Sequence, residues 1–164
     1  MPPMGIELSG LRATVGTDAL AERQVRLQVE GGLLRLSPRG LTLLLPPGTP
    51  VAIHRIIPGR LLLRGSVDLL GMAVGFDAEV APGATSDGRV RLQVVAVRAA
   101  GFLPVPVPAV IRILRTKLSH LPGIRFTAED RMEIDLAEIL RPLGVFLPPL
   151  KSAHARDGVA ELEF

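Results

Sequence analysis

The sequence predicts an α+β fold: a long, twisted, mainly antiparallel β-sheet with two principal helices packed on it. Three observations carry this. Apolar and polar residues alternate with a period of two over several long segments, the pattern of half-buried strands. Only two segments space their apolar residues at i, i+3 and i+4, as an amphipathic helix does. The 17 glycines and 15 prolines punctuate the stretches between. With 164 residues the chain is expected to form a single domain, 1–164, long enough for a sizeable core.

In chain order, a turn of helix is expected over Thr17–Glu22. Val25, Leu27 and Val29 then alternate with Arg26, Gln28 and Glu30, and Leu34 and Leu36 flank Arg35. With Gly31-Gly32 between the two runs, residues 24–37 read as a hairpin. Arg60–Leu70 reads as a strand that reverses at Leu70-Gly71. Met72, Val74, Phe76, Ala78 and Val80 then share one face, opposite Ala73, Gly75, Asp77 and Glu79. A loop is expected over Pro82–Gly88 and a further long strand over Arg89–Arg98. Strands of this length would run ~33 Å at about 3.3 Å per residue, which favours a large twisted sheet.

The first helix is expected from Pro108, a residue suited to an opening turn. Val110, Ile111, Leu114, Leu118 and Leu121 form its apolar stripe; Arg112, Arg115, Lys117 and His120 lie mostly away from it. The second begins at Asp135, where Asp135 and Glu138 have the spacing of a capping box. Leu136, Ile139, Leu140 and Leu143 make its apolar face, Pro142 shortens it, and it is expected to be a packing element. The two helices echo one another. Ile113-Leu114-Arg115 recurs as Ile139-Leu140-Arg141, and Leu121-Pro122 as Leu147-Pro148, which suggests two helix–strand units packed on one sheet.

Composition narrows the chemistry. The chain is 48% hydrophobic, with a mean hydropathy of +0.38. Yet its longest uncharged runs, Leu41–Ile53 and Ala99–Ile111, fall short of the ~18 residues a spanning helix needs. The apolar surplus must be buried in the fold, buried against another chain, or offered to an apolar ligand. Without cysteine there are no disulfides, thiolate chemistry or cysteine-held zinc. The net charge of +3 is spread among interleaved acids, and the aromatics, 3% of the chain, are all Phe. A nucleic-acid partner is therefore not expected. His54, His120 and His154 are scattered, so no metal site is expected. The serines sit in no nucleophile elbow, and glycine-rich phosphate loops are missing. Asp77 with Glu79, and Glu133 with Asp135, read as solvated strand faces. Neither an enzyme nor a cofactor is expected.

Gly101-Phe102-Leu103-Pro104-Val105-Pro106-Val107-Pro108 leads into the basic helix, and alternate prolines make it stiff and extended. It reads either as a rigid crossing that feeds a core helix, or as an apolar lip with Arg112, Arg115 and Lys117 at headgroup level. Residues of about 60–164 resemble the LmeA-like phospholipid-binding proteins of bacterial envelopes. The matching order is Leu61-Leu62-Leu63-Arg64-Gly65, Leu69-Leu70-Gly71-Met72-Ala73-Val74, Asp87-Gly88-Arg89-Val90-Arg91-Leu92 and Gly101-Phe102-Leu103-Pro104-Val105-Pro106. The helix, Leu-Pro and Gly123-Ile124-Arg125-Phe126 follow in turn. The resemblance implies lipid binding in an elongated sheet-and-helix fold akin to tubular lipid-binding domains, and a cell-envelope setting. Met1-Pro2-Pro3-Met4-Gly5, in contrast, does not read as an export signal, and a chain complete as it stands would be cytoplasmic.

The expected function is non-enzymatic binding or transfer of a phospholipid or similar amphiphile in an apolar groove, with peripheral membrane contact. Phe102, Leu103, Val110, Ile111, Leu114 and Leu118 would contact acyl chains; Arg112, Arg115 and Lys117 would attract the headgroup. The alternative is a structural β-rich module that buries its surplus in a homo-oligomer.

Overall fold

A computed structural model describes residues 5–17, 25–43, 45 and 49–164, with Thr17, Val25 and Leu69 described in backbone only. The strands are β1 (Ile6–Thr17), β2 (Val25–Leu36), β3 (Val51–Ile57), β4 (Arg60–Leu69), β5 (Met72–Ala84) and β6 (Val90–Ala99). They continue as β7 (Leu103–Pro104), β8 (Ile124–Phe126), β9 (Arg131–Ile134), β10 (Val145–Phe146), β11 (Ser152–Ala155) and β12 (Ala160–Glu163). The helices are α1 (Pro38–Leu43), α2 (Val107–Leu118) and α3 (Leu136–Leu140), the last running into a 3-10 turn, Arg141–Leu143.

The fold is α+β and sheet-dominated, as expected, but its strands are divided between two sheets. The first has the order β1-β2-β12-β11, with β10 beside β2, and so joins the two ends of the described chain. The second has the order β3-β4-β5-β6-β9-β8, with β7 beside β6. All pairings are antiparallel except β10 with β2. The two echoing units accordingly part company: α2 leads into β8 of the second sheet, α3 into β10 of the first.

The hairpin expected over 24–37 is a single strand. Gly31-Gly32 is not a turn: beside it β2 takes up an extra residue, Glu30, next to a bulge at Gly10-Leu11 of β1 that stands opposite Gly32. A bulge adds one residue to one strand and shifts its side-chain alternation. Leu34 and Leu36 therefore share a face with Val29 and Leu27, although their parity differs. A Cβ on Gly32 would stand 3.0 Å from Leu11 Cα, at a φ of +155°. The loop expected over Pro82–Gly88 is shorter, because β5 continues through Ala84. Of the turn expected over Thr17–Glu22, Thr17 ends β1 and the remainder lies outside the described residues.

The inner faces of the two sheets share one core. Leu36, Ala153, Ala155, Ala160 and Leu162 from the first meet Ile53, Ile56, Leu61, Val80, Val94 and Val97 from the second, and Ile111 enters from α2. Backbone hydrogen bonds tie the rims: Gly59 N–H to Ala155 O (3.0 Å), Gly158 N–H to Ile56 O (3.1 Å) and Leu150 N–H to Gly88 O (3.1 Å). At the last of these the chains are so close that a Cβ on Gly88 would lie 2.5 Å from Pro149 Cβ.

Candidate functional site

One end of the second sheet carries two reversals side by side. β4 and β5 are joined by Leu70-Gly71, with φ of 55° and 82°, the type I′ geometry of a two-residue hairpin. The Asp68 carboxylate accepts the Gly71 N–H at 2.8 Å and braces the reversal. β6 turns into β7 through Ala100-Gly101, with φ of 51° and 80°, closed by Phe102 N–H to Ala99 O at 3.3 Å. Ala100 N–H also donates to Gly75 O at 2.9 Å, so both reversals stand at the same end of the sheet.

These apices are uncharged and apolar. Between them, Leu69–Phe76 and Ala99–Ile111 hold no ionisable residue. Leu70 is 101% exposed and Phe102 79%, and Met72 and Leu103 are each more than half exposed. The first central position of a type I′ turn ordinarily goes to Asn, Asp or Gly. A leucine there is held in the left-handed region at roughly 1–2 kcal/mol, and with no side-chain burial to offset it.

The expected site residues fall into three groups. Phe102 and Leu103 belong to this apolar end. Ile111 is buried in the core, Val110 and Leu114 pack half-buried against it, and Leu118 is half-buried. Arg112, Arg115 and Lys117 are exposed and have no ion-pair partner among the described residues. Arg115 lies over the Phe126 ring at 5.7 Å from its centroid. With Lys117 it occupies the last turn of α2, where the helix dipole favours cations. The chain leaves β7 beside Val97, through Val105 N–H to Val97 O at 2.9 Å. It returns in β8 level with Val90. α2 thus carries its cations away from the apices.

Leu70 and Met72 were legible as a hairpin reversal but not as part of a site. The available signal was a long uncharged stretch across an apex in a chain that has no Asn to build it.

Elsewhere the polar groups hold the fold together. Arg89 reaches Asp87 (3.1 Å), Glu133 (3.4 Å) and Asp135 (3.6 Å), fastening the β5–β6 turn to β9 and the start of α3. A hydrogen bond from the Thr85 hydroxyl, with Arg89 nearby, holds the Asp87 carboxyl below its ordinary range. Glu161 is likewise held low by hydrogen bonds from Arg35 and Arg156. Two open depressions flank the first sheet. One of about 300 Å³ is bordered by Val15, Arg26 and Phe146. Another of about 620 Å³ lies on its polar face among Arg12, His154, Arg156 and Glu163. Neither includes a residue of the apolar end. No cluster of three or more His, Asp or Glu suited to a metal occurs among the described residues, and no described helix is long and apolar enough to cross a membrane. Comparison with protein-family models, with curated proteins and with solved structures finds no match to this chain.

Proposed function

We propose that this protein binds phospholipid or a similar amphiphile without chemistry, and meets it first at a lipid surface through the paired apices. The observation that carries this reading is the pair of uncharged reversals that expose Leu70, Met72, Phe102 and Leu103 at one end of the second sheet. A convex apolar point suits a fluid acyl layer, which closes around any shape. An LmeA-like relationship over residues of about 60–164 would fit the same reading. Arg112, Arg115 and Lys117 would add attraction to anionic headgroups, each on the order of 1 kcal/mol and weakened by salt. From Met72 to Ala78, the partner of Val97, is six residues, or about 20 Å of strand at 3.4 Å each. The molecule must therefore lean for the apices and the cations to engage one membrane together.

The chain contains neither Trp nor Tyr, so Phe102→Trp makes a unique fluorescent reporter. Its emission is expected to shift to the blue on adding phosphatidylcholine–phosphatidylglycerol vesicles, and to be quenched by lipids brominated in the acyl chain. Emission unchanged by vesicles at low salt would overturn the proposal. Replacing Arg112, Arg115 and Lys117 by Ala is expected to leave the fold intact, since all three are exposed, and to remove the preference for anionic vesicles.

A further inference from the structure

The edge strand β1 carries a second apolar surface, on the other sheet. On one side it pairs with β2; among the described residues nothing pairs with its other side. Directly opposed residues of an antiparallel pair share a face. Ile6 and Leu8 thus lie with Leu36 and Leu34 on the core side, and Ala13 and Val15 with Val29 and Leu27. The β2 members of this row are buried or half-buried, whereas Ile6, Leu8 and Val15 are each more than half exposed. The core face simply runs out onto an uncovered strand. A long apolar edge with free N–H and C=O groups is a template for another strand.

We infer that β1 pairs antiparallel with β1 of a second copy, about a two-fold axis at Ser9. The strand's charges select this register. β1 holds one acid, Glu7, and one base, Arg12; with Gly10-Leu11 filling one position at the bulge, each stands two positions from Ser9. Pairing there sets Glu7 of each copy opposite Arg12 of the other, Leu8 opposite Gly10-Leu11, and Ile6 opposite Ala13. Without a bulge, such pairs would fall on opposite faces. The Gly10-Leu11 bulge shifts the alternation, so Ile6 and Ala13 both lie on the apolar side, and Glu7 and Arg12 both on the polar side. Matched bulges already run side by side in β1 and β2, so the sheet accommodates the motif. The charges are also available. Arg12 has no ion-pair partner among the described residues, and Glu7 meets only Arg35, at 3.8 Å with both side chains substantially exposed. This surface is independent of the apices and goes beyond the proposed lipid contact.

A charge swap tests the register by sedimentation velocity across a concentration series. Wild type is expected to dimerise. Glu7→Arg alone sets Arg against Arg, and Arg12→Glu alone sets Glu against Glu, so each single variant is expected to be monomeric. An equimolar mixture of the two restores both opposite pairs and is expected to form heterodimers, which also shows that each variant is folded. The double variant should dimerise like wild type. A monomeric wild type, single variants that still dimerise, or a mixture that stays monomeric would each overturn the inference. Vesicle binding, read through the Phe102→Trp reporter, is expected to persist in the single variants, so failure here leaves the apex reading standing.

Discussion

The apices of the second sheet and the edge of the first expose apolar side chains in opposite ways. At the apices the backbone is closed on itself in two hairpin turns, and only side chains project. Along β1 the backbone is open on one side and the side chains alternate, apolar inward and polar outward. A closed convex point offers nothing for another strand to bond, so it suits a medium that conforms to it. An open straight edge offers a ladder of donors and acceptors, so it suits a partner with the same spacing. Apolar exposure alone does not name a partner; the state of the backbone beneath it does.

The contrast breaks most readily at the apices. Met72→Ser with Phe102→Ser removes two exposed apolar side chains that would each gain about 1.5–3 kcal/mol on full burial. Vesicle affinity is expected to fall by about two orders of magnitude or more, while sedimentation stays that of wild type. A parallel loss of dimer would merge the two surfaces into one.

α2 stands on the buried side of the contrast. Ile111→Ala is expected to lower stability by roughly 2–5 kcal/mol, the range for truncating a fully buried aliphatic chain. Leu140→Ala, in the half-buried α3, should fall below that range in the same denaturant titration. Equal losses would mean that α3 anchors the core as firmly as α2 does.

Leu70→Asn separates folding from binding. Asn tolerates the left-handed conformation that Leu70 adopts at φ 55°, so the variant is expected to gain about 1 kcal/mol in stability and to bind vesicles more weakly. A variant that is less stable would mean that Leu70 packs against something at the apex.

The smallest effect belongs to the edge. Arg35 spans Glu161 (3.1 Å) and Glu7 (3.8 Å), linking β12, β2 and β1. The Glu161 carboxyl is held below its ordinary 4.5 by Arg35 and Arg156. Its contribution is therefore complete above that value and is lost as pH falls through the lowered pKa. Hydrogen exchange should show β1 and β12 loosening in acid, and Glu161→Gln should flatten that dependence.

The middle of the second sheet was legible because β4 and β5 pair with no slip in register. Met72 through Val80 alternate without a slip, and Leu70-Gly71 reverses where the pattern ends. The cap of α3 was legible too: the Asp135 carboxylate accepts the Glu138 N–H at 3.0 Å. The first sheet was not, for a physical reason. A phase slip beside two glycines is what a hairpin turn looks like in sequence, and it is equally what a bulge looks like. Only the neighbouring strand decides, and β1 conceals its own alternation with the matching slip at Gly10. Of the candidate site, Phe102 and Leu103 were legible from the proline-spaced segment around them. Leu70 and Met72 required knowing that two reversals share one end.

The pairing of β2 with β12 has a consequence in time. β3 to β6 form by successive short hairpins, so the second sheet can assemble while the rest of the chain is still being made. β2 must wait for Ala160–Glu163, about three-quarters of the chain away, and closing so long a loop is the entropically costly, slow step. Until then the β1–β2 ribbon stands with both edges unpaired and its apolar face bare. In refolding, amides of β4 and β5 should gain protection well before those of β2. That interval is when the protein is most open to aggregation.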